Sequence, residues 1–347
     1  MRIGLAFDLQ TDPHAAAQAE YDPPETIDAL TRALHSAGHA VVPLGSAAAV
    51  LKALTRAHSP ASAVRRLPTT DYRLRTHLSD VDLVFNIAEG RHGRCREAWV
   101  PTLLETFAIP YTGSGPDALA LALDKVTTKR LCRAHGVPTP WWMSVASADR
   151  LPSSVTLPFP LIVKPRHEGS AVGVDAGAIV HDAAALDARV RWATSTYRAP
   201  VLIESFIAGG EATVCLIGND PPEALPVILR PIDPATGLAW HAAKTAADDA
   251  TATVPMTLTP AMEQTLQRYA VEVFTLLGCR DLARVDFRID AQGRVYFLEI
   301  NPLPNLSPAD SFGLIGESLG VGYDGIIRRI LEAAVARHRL AATEPRP

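Results

Sequence analysis

The chain has 347 residues, enough for two or three packed units, with 48% apolar and 20% charged residues, an ordinary globular composition. A net charge of -4 with scattered arginines offers no electrostatic footprint for nucleic acid. Cys95, Cys132, Cys215 and Cys279 form no CxxC pair and no apolar run approaches the ~20 residues of a membrane helix, so zinc, a disulfide framework and a membrane partner are not expected, and a cytoplasmic setting is.

In chain order, Arg2–Asp8 reads as a buried strand, residues 10–24 as an acidic, proline-containing loop, and Glu25–Ala37 as a helix stopped by Gly38. Strands follow at Ala40–Leu44 and Val81–Ile87, then a loop and a helix near Arg96–Phe107. This alternation predicts a parallel sheet with crossover helices. Tyr111–Gly115 is a turn before one helix over Pro116–His135. Beyond it the pattern changes: Leu161–Lys164, Ala178–Val180, Val201–Glu204, Thr213–Ile217 and Ala224–Leu229 read as strands. Thr259–Leu277 reads as a helix, and Leu282–Ile289 and Val295–Ile300 as a hairpin across the Asp290–Gly293 turn. The expected fold class is therefore α/β followed by α+β, in three units at about 1–115, 116–198 and 199–340.

Three segments carry chemistry. In ARVDFRIDAQGRVYFLEINPLPN (283–305), alternation places Arg284, Asp286 and Arg288 on one strand face. On the second strand it places Phe297, Glu299 and Asn301 on one side and Tyr296, Leu298 and Ile300 on the other. A hairpin then brings Asp286, Glu299 and Asn301 together as a hard-oxygen set suited to Mg²⁺ held jointly with nucleotide phosphates. The competing reading is a solvated face of paired charges, against which Glu299 stands between apolar neighbours. In LIVKPRHEGSAVGV (161–174), Lys164 closes an apolar strand before a loop containing Glu168, Gly169, Ser170 and Gly173. This is phosphate-handling chemistry without the spacing of a Walker A loop. A lysine snorkelling beside a plain turn would look similar. In VLIESFIAGGE (201–211), Glu204, Ile207 and Glu211 border a linker able to meet an adenine edge and a ribose, although a simple strand–turn–strand reads the same way.

Together with IPYTGSGPDALALALDK (109–125), these segments resemble the ATP-grasp superfamily, specifically the D-alanine–D-alanine ligase family, over roughly residues 80–335. The resemblance implies a three-domain ATP-grasp architecture with an N-terminal parallel-sheet domain, ATP between the other two, and an acyl-phosphate route joining a carboxylate to an amine. It implies that Lys125 and Lys164 reach the ATP phosphates, with Glu168, Gly169 and Ser170 in the loop over them. Glu204 and Ile207 then lie at adenine and Glu211 at ribose. Lys244 is similar to the γ-phosphate lysine of a closing loop at about 232–255, and Arg284 to the arginine that steadies the transferring phosphoryl. Asp286, Glu299 and Asn301 match ligands of magnesium, two ions in the family, and a homodimer is in keeping with it.

The departures concern substrate. No GGxSxE segment follows the first strand; Asp8, Asp12, Glu20 and Asp22 are the candidate replacements for its acid. Glu89 stands where the family has histidine, Thr245 follows Lys244 in place of tyrosine, and Asn305 replaces glycine. Asp310 or Ser311 falls where a serine receives the second amino acid's carboxylate. A lone Asp310 there disfavours an anionic acceptor, since like charges at ~4 Å repel by on the order of 1–4 kcal/mol. Arg91, Arg94 and Arg96 form a basic cluster facing either an acidic substrate group or solvent. Three readings compete: a ligase for other amino-acid or amine substrates, a D-alanine–D-alanine ligase proper, and a nucleotide-binding protein without catalysis. A Rossmann dehydrogenase is excluded because no GxGxxG follows the first strand.

Overall fold

Three sheets organise the computed structural model, which describes residues 1–15, 18–55, 81–152, 155–169, 171–239 and 253–340. The first is parallel, with β1 (Arg2–Ala6) between β2 (Ala40–Gly45) and β3 (Leu83–Asn86). Its crossover helix α1 (Pro24–Ser36) starts on a proline, which lacks the N–H that a first turn leaves unpaired. The helix buries Ala29, Leu30, Ala33 and Leu34 against the sheet and against the late helix Gly322–Arg337. The short helix α2 (Ala47–Thr55) was not expected from sequence. The helix near Arg96–Phe107 is a 3-10 turn, Arg96–Ala98, running into α3 (Trp99–Thr106).

The single helix expected over Pro116–His135 is two, α4 (Pro116–Leu123) and α5 (Lys125–Ala134). Asp124 breaks it: its backbone is extended, and its carboxylate accepts the Val126 and Thr127 N–H groups as the cap of α5. The break makes Lys125 the first residue of a new helix.

The second sheet is antiparallel, in the order β4 (Trp142–Val145), β7 (Val201–Ser205), β5 (Leu161–Pro165) and β6 (Ile179–Val180), and is covered by α6 (Ala183–Tyr197) through Leu186, Val190 and Ala193. The third runs β10 (Ile228–Arg230), β8 (Gly209–Ile217), β11 (Leu282–Asp290) and β12 (Val295–Asn301), with β9 (Glu223–Ala224) on β8 and α7 (Pro260–Leu276) on its apolar face. The strand expected at Ala224–Leu229 is thus two short ones. Strand β8 starts earlier than expected, at Gly209, whose φ of +135° and 2.1 Å approach of a would-be Cβ to the Ile289 carbonyl admit only glycine. The last helices are α8 (Ser311–Ser318) and α9 (Gly322–Arg337).

One expected alternation fails. Asp286 stands opposite Glu299, but Phe287 stands opposite Phe297, so Leu298 is an extra residue in a β-bulge. The bulge turns Phe297 into the core, edge-on to Phe287 at 6.2 Å, and sets Tyr296 opposite Arg288, the reverse of the simple period-two reading. No helix among the described residues is long and apolar enough to cross a membrane.

Candidate active site

A cleft of about 280 Å³ opens between the β11–β12 hairpin, the start of α5 and the N-terminal loop. Its walls include Glu20, Asp22, Glu89, Glu97, Lys125, Gly169, Arg230, Arg284, Glu299, Asn301, Asn305 and Asp310. The hairpin brings the three expected oxygen donors to one place. Asp286 and Glu299 are direct ladder partners, and the Asn301 amide donates to Asp286 Oδ2 at 3.2 Å. Thr213 Oγ1 donates to Asp286 Oδ1 at 2.7 Å, and Arg284 pairs with Asp286 at 3.0 Å. Glu299 pairs with Lys125 at 3.2 Å. Burial pushes the Glu299 carboxyl up, but Lys125, Lys164 and Arg284 outweigh it and hold it at about 2.

A second charged group lies behind the first. Glu204, 1% exposed, places Oε1 2.5 Å from Lys164 Nζ and Oε2 3.0 Å from Lys129 Nζ. Its side chain is therefore turned inward between two lysines and is not free for an adenine edge. Lys129 is fully buried and also donates to Thr139 Oγ1 at 2.9 Å and to the Phe297 carbonyl at 3.3 Å. Lys129 is not among the residues expected at the site. Its spacing of four from Lys125, which puts both on one face of α5, is the signal that would have found it.

The linker between β7 and β8 is gripped by another residue not assigned a role beforehand. Arg288 donates to the Ile207 carbonyl at 2.9 and 2.7 Å and to the Gly237 carbonyl at 3.0 Å, pairs with Glu211 at 3.3 Å, and lies over the Phe206 ring at 5.1 Å. Burial pushes the Glu211 carboxyl up, partly offset by Arg288.

The loop after β5 is anchored from two sides. Asp124 holds Arg166 through a fork of 2.7 and 2.5 Å bonds, and Lys125 Nζ donates to the Glu168 carbonyl. The Gly169 N–H donates to Glu20 Oε1 at 2.9 Å, while Arg96 pairs with Glu20 at 2.6 Å and with Glu168 at 3.6 Å. Of the three loop arginines only Arg96 is buried; Arg91 and Arg94 are exposed. Ser170, Lys244 and most of the expected closing loop lie outside the described residues.

On the far wall Asp310 caps α8 and accepts from Ser311 N at 2.6 Å and Ser311 Oγ at 2.8 Å. Arg230 reaches Asp310 at 3.3 Å and Ser311 Oγ at 2.6 Å, and Arg284 stands 4.0 Å from Asp310. Asp310 is thus not a lone anion, and the charge argument against an anionic acceptor loses its premise. Arg230, the missed partner, ends β10 with its side chain on the cleft wall. Asn305 lines the cleft while its side chain accepts the Ser307 N–H at 2.7 Å. Among the first-loop acids, Asp8 accepts the Gly90 N–H at 2.8 Å and Asp12 holds an exposed turn to His14. That leaves Glu20 and Asp22 at the cleft.

Fold and site together define an ATP-grasp ligase, and comparison with known proteins narrows the class. The model of the D-ala D-ala ligase C-terminus matches residues 131–332, more than half the chain. A D-alanine–D-alanine ligase of Pelotomaculum thermopropionicum is 34% identical over 264 residues, covering 74% of this chain and 80% of that protein. The corresponding enzyme of Pseudomonas putida is 35% identical over 300 residues, 85% and 89%. An uncharacterized protein, y4sG, of Sinorhizobium fredii is 37% identical over 258 residues, 74% and 75%. A D-alanine–D-alanine ligase of Bacillus anthracis, solved in complex with ATP, superposes with a TM-score of 0.71 at 20% identity, over 99% of this chain and all of that one. The chain belongs to the D-alanine–D-alanine ligase family.

Proposed function

We propose that this ligase uses ATP to join a carboxylate to an amine through an acyl-phosphate, and that its substrates are not a pair of D-alanines. The observation that carries the chemistry is the opposed pair Asp286 and Glu299, with Asn301 beside them and Lys125, Lys164 and Arg284 around them. Two carboxylates, one held ionised well below neutral pH, and an amide that can turn its oxygen inward make a hard donor set that fits Mg²⁺. Asp286, Glu299 and Asn301 would hold magnesium, in two ions, whose contribution is to neutralise phosphate oxygens. Ile207 and the linker around it would border adenine, Glu211 the ribose, and Lys125, Lys164, Glu168 and Gly169 the phosphates. Ser170 and Lys244 would complete the phosphate enclosure.

The reaction brings two anions together, so catalysis rests on neutralising charge and excluding water. A substrate carboxylate oxygen bonds to the γ-phosphorus as the bond to the β–γ bridging oxygen breaks, and ADP leaves. Arg284, at the meeting of both walls, stabilises charge on the transferring group. The amine, as its free base, then attacks the acyl carbon. The bond to phosphate breaks, phosphate leaves and the nitrogen loses a proton. Glu204, Lys129 and Arg288 take no part in bond changes; they fix Lys164 and the linker.

Support for unusual substrates comes from the N-terminal wall, where no GGxSxE segment follows the first strand and Glu20, Asp22, Glu89 and Glu97 line the cleft together. The test is ADP release by the purified protein across D- and L-amino acids and amines, singly and in pairs. Another pair should outpace D-alanine alone. Turnover with D-alanine as strong as with any pair refutes the substrate reading, and no ADP with any pair despite tight ATP binding refutes the ligase reading. Glu299→Gln abolishes turnover with the fold retained; activity that survives would remove the proposed metal site.

A further inference from the structure

The N-terminal wall gathers more acid than its cations neutralise. Glu20, Asp22, Glu89 and Glu97 all face the cleft. Arg96, whose charge acts on Glu97, is committed to Glu20 and Glu168 and donates to the His167 carbonyl at 3.1 Å. Lys125, which also acts on Glu97, is held by Glu299 and the Glu168 carbonyl. Asp22 and Glu97 are only 6% and 8% exposed, their oxygens open on the cleft, and among the described residues neither carboxylate has a hydrogen-bond or ion-pair partner. Buried carboxylates are ordinarily partnered, because burial penalises the ionised form. Here burial first pushes Asp22 up to about 7, with Asp8 adding to it, and pushes Glu97 up to about 7 against the pull of Arg96 and Lys125; burial and then Glu97, Glu20 and Asp22 push Glu89 well above its usual range.

The arrangement also says what shape of cation suits it. No group of three or more His, Cys, Asp or Glu residues among those described is placed to hold a metal ion. The acids are close enough to repel one another but do not converge on a point, so one compact charge, metal or ammonium, does not serve them all. We infer that this compartment takes an amino acid with a basic side chain, its α-ammonium and its side-chain ammonium or guanidinium spread over Asp22, Glu89 and Glu97. The inference deepens the ligase reading and rests on it in one respect, that the carboxylate of this amino acid is the group activated beside Lys125 and Arg284.

The experiment is titration calorimetry of the full chain with Mg·ADP present, using L- and D-lysine against L- and D-norleucine, which share the chain length but lack the second charge. Lysine of one hand should bind at least roughly tenfold more tightly than norleucine, the scale of a charged hydrogen bond. Asp22→Asn and Glu97→Gln should each remove most of that preference, with thermal stabilisation by Mg·ADP as the control for folding. Equal binding of lysine and norleucine, or a preference unchanged in both variants, overturns the inference. ADP release measured in the same samples separates the two claims. Lysine preference without ADP for any acceptor sinks the ligase reading alone, and ADP from neutral substrates with no lysine preference sinks this inference alone.

Discussion

Glu204 is a buried carboxylate shared by two lysines, and a double-mutant cycle with Lys129 measures what it does. Glu204→Gln leaves two ammonium groups, one fully buried and one 10% exposed, without their carboxylate. Removing one partner from a buried pair costs about 3–5 kcal/mol, and here two partners are stranded. Lys129→Met is milder. Glu204 keeps Lys164 at 2.5 Å, and Thr139 continues to donate to the Phe297 carbonyl at 2.9 Å. Burial already lowers the Lys129 pKa against the pull of Glu204, so removing its charge also relieves a desolvation cost. A loss of about 1.5–3 kcal/mol is expected, the range of a hydrogen bond to a charged group. With Lys129 gone, Glu204→Gln strands one lysine instead of two, so the double variant should fall short of the sum by about 1–2 kcal/mol. Urea unfolding followed by tryptophan fluorescence gives the four stabilities. Additive losses, or a Lys129→Met loss as large as that of Glu204→Gln, would refute this account of the core.

Three further outcomes follow from the geometry. Asp22 and Glu97 have folded pKa values of about 7 against ordinary values of 3.8 and 4.5, so the folded protein binds more protons between those limits. Their favourable contribution is full below pH 4 and lost as pH rises through 7. The urea midpoint of the ligand-free protein should therefore fall between pH 5 and 8, and Asp22→Asn and Glu97→Gln should flatten that decline; a wild-type midpoint that rises over this range contradicts the assignment. Arg288→Met, which frees the Ile207 carbonyl and Glu211, should raise the KM for ATP roughly tenfold with kcat within about twofold; a fall in kcat at unchanged KM would move Arg288 into the chemistry. Asp124→Ala removes a helix cap and the anchor of Arg166, and chemical denaturation should show a loss of about 1–2 kcal/mol; an unchanged midpoint would deny the cap its weight.

The hairpin was legible because its turn, its alternation and its charged residues all lie within one short stretch, and so Asp286, Glu299 and Asn301 could be brought together on paper. The bulge at Leu298 was not, since nothing in FLEIN announces an extra residue. Helix α2 and strand β4 were missed for lack of clear punctuation: one follows a glycine in an alanine-rich run, the other follows prolines. The split at Asp124 hid under an apolar period that continues through it. Lys129, Arg230 and Arg288 escaped for a different reason. Their partners, Glu204, Asp310 and Ile207, lie far off in the chain, and no local pattern reveals that a lysine will be fully buried or which carbonyl an arginine will hold. The acidic N-terminal wall of the cleft was legible only as acidic residues in two separate loops, without Glu97.

The supernumerary residue in β12 bears on how this segment tolerates change in length. Because Phe297 and Leu298 together occupy one rung opposite Phe287, a lineage could lose either and still present Glu299 and Asn301 to the cleft, with an apolar side chain inward. Loss of Ile300 has no such escape: it sets Glu299 and Asn301 on opposite sides of the sheet and dismantles the oxygen set. Shortening is therefore survivable at one rung of this hairpin and disabling two residues further on.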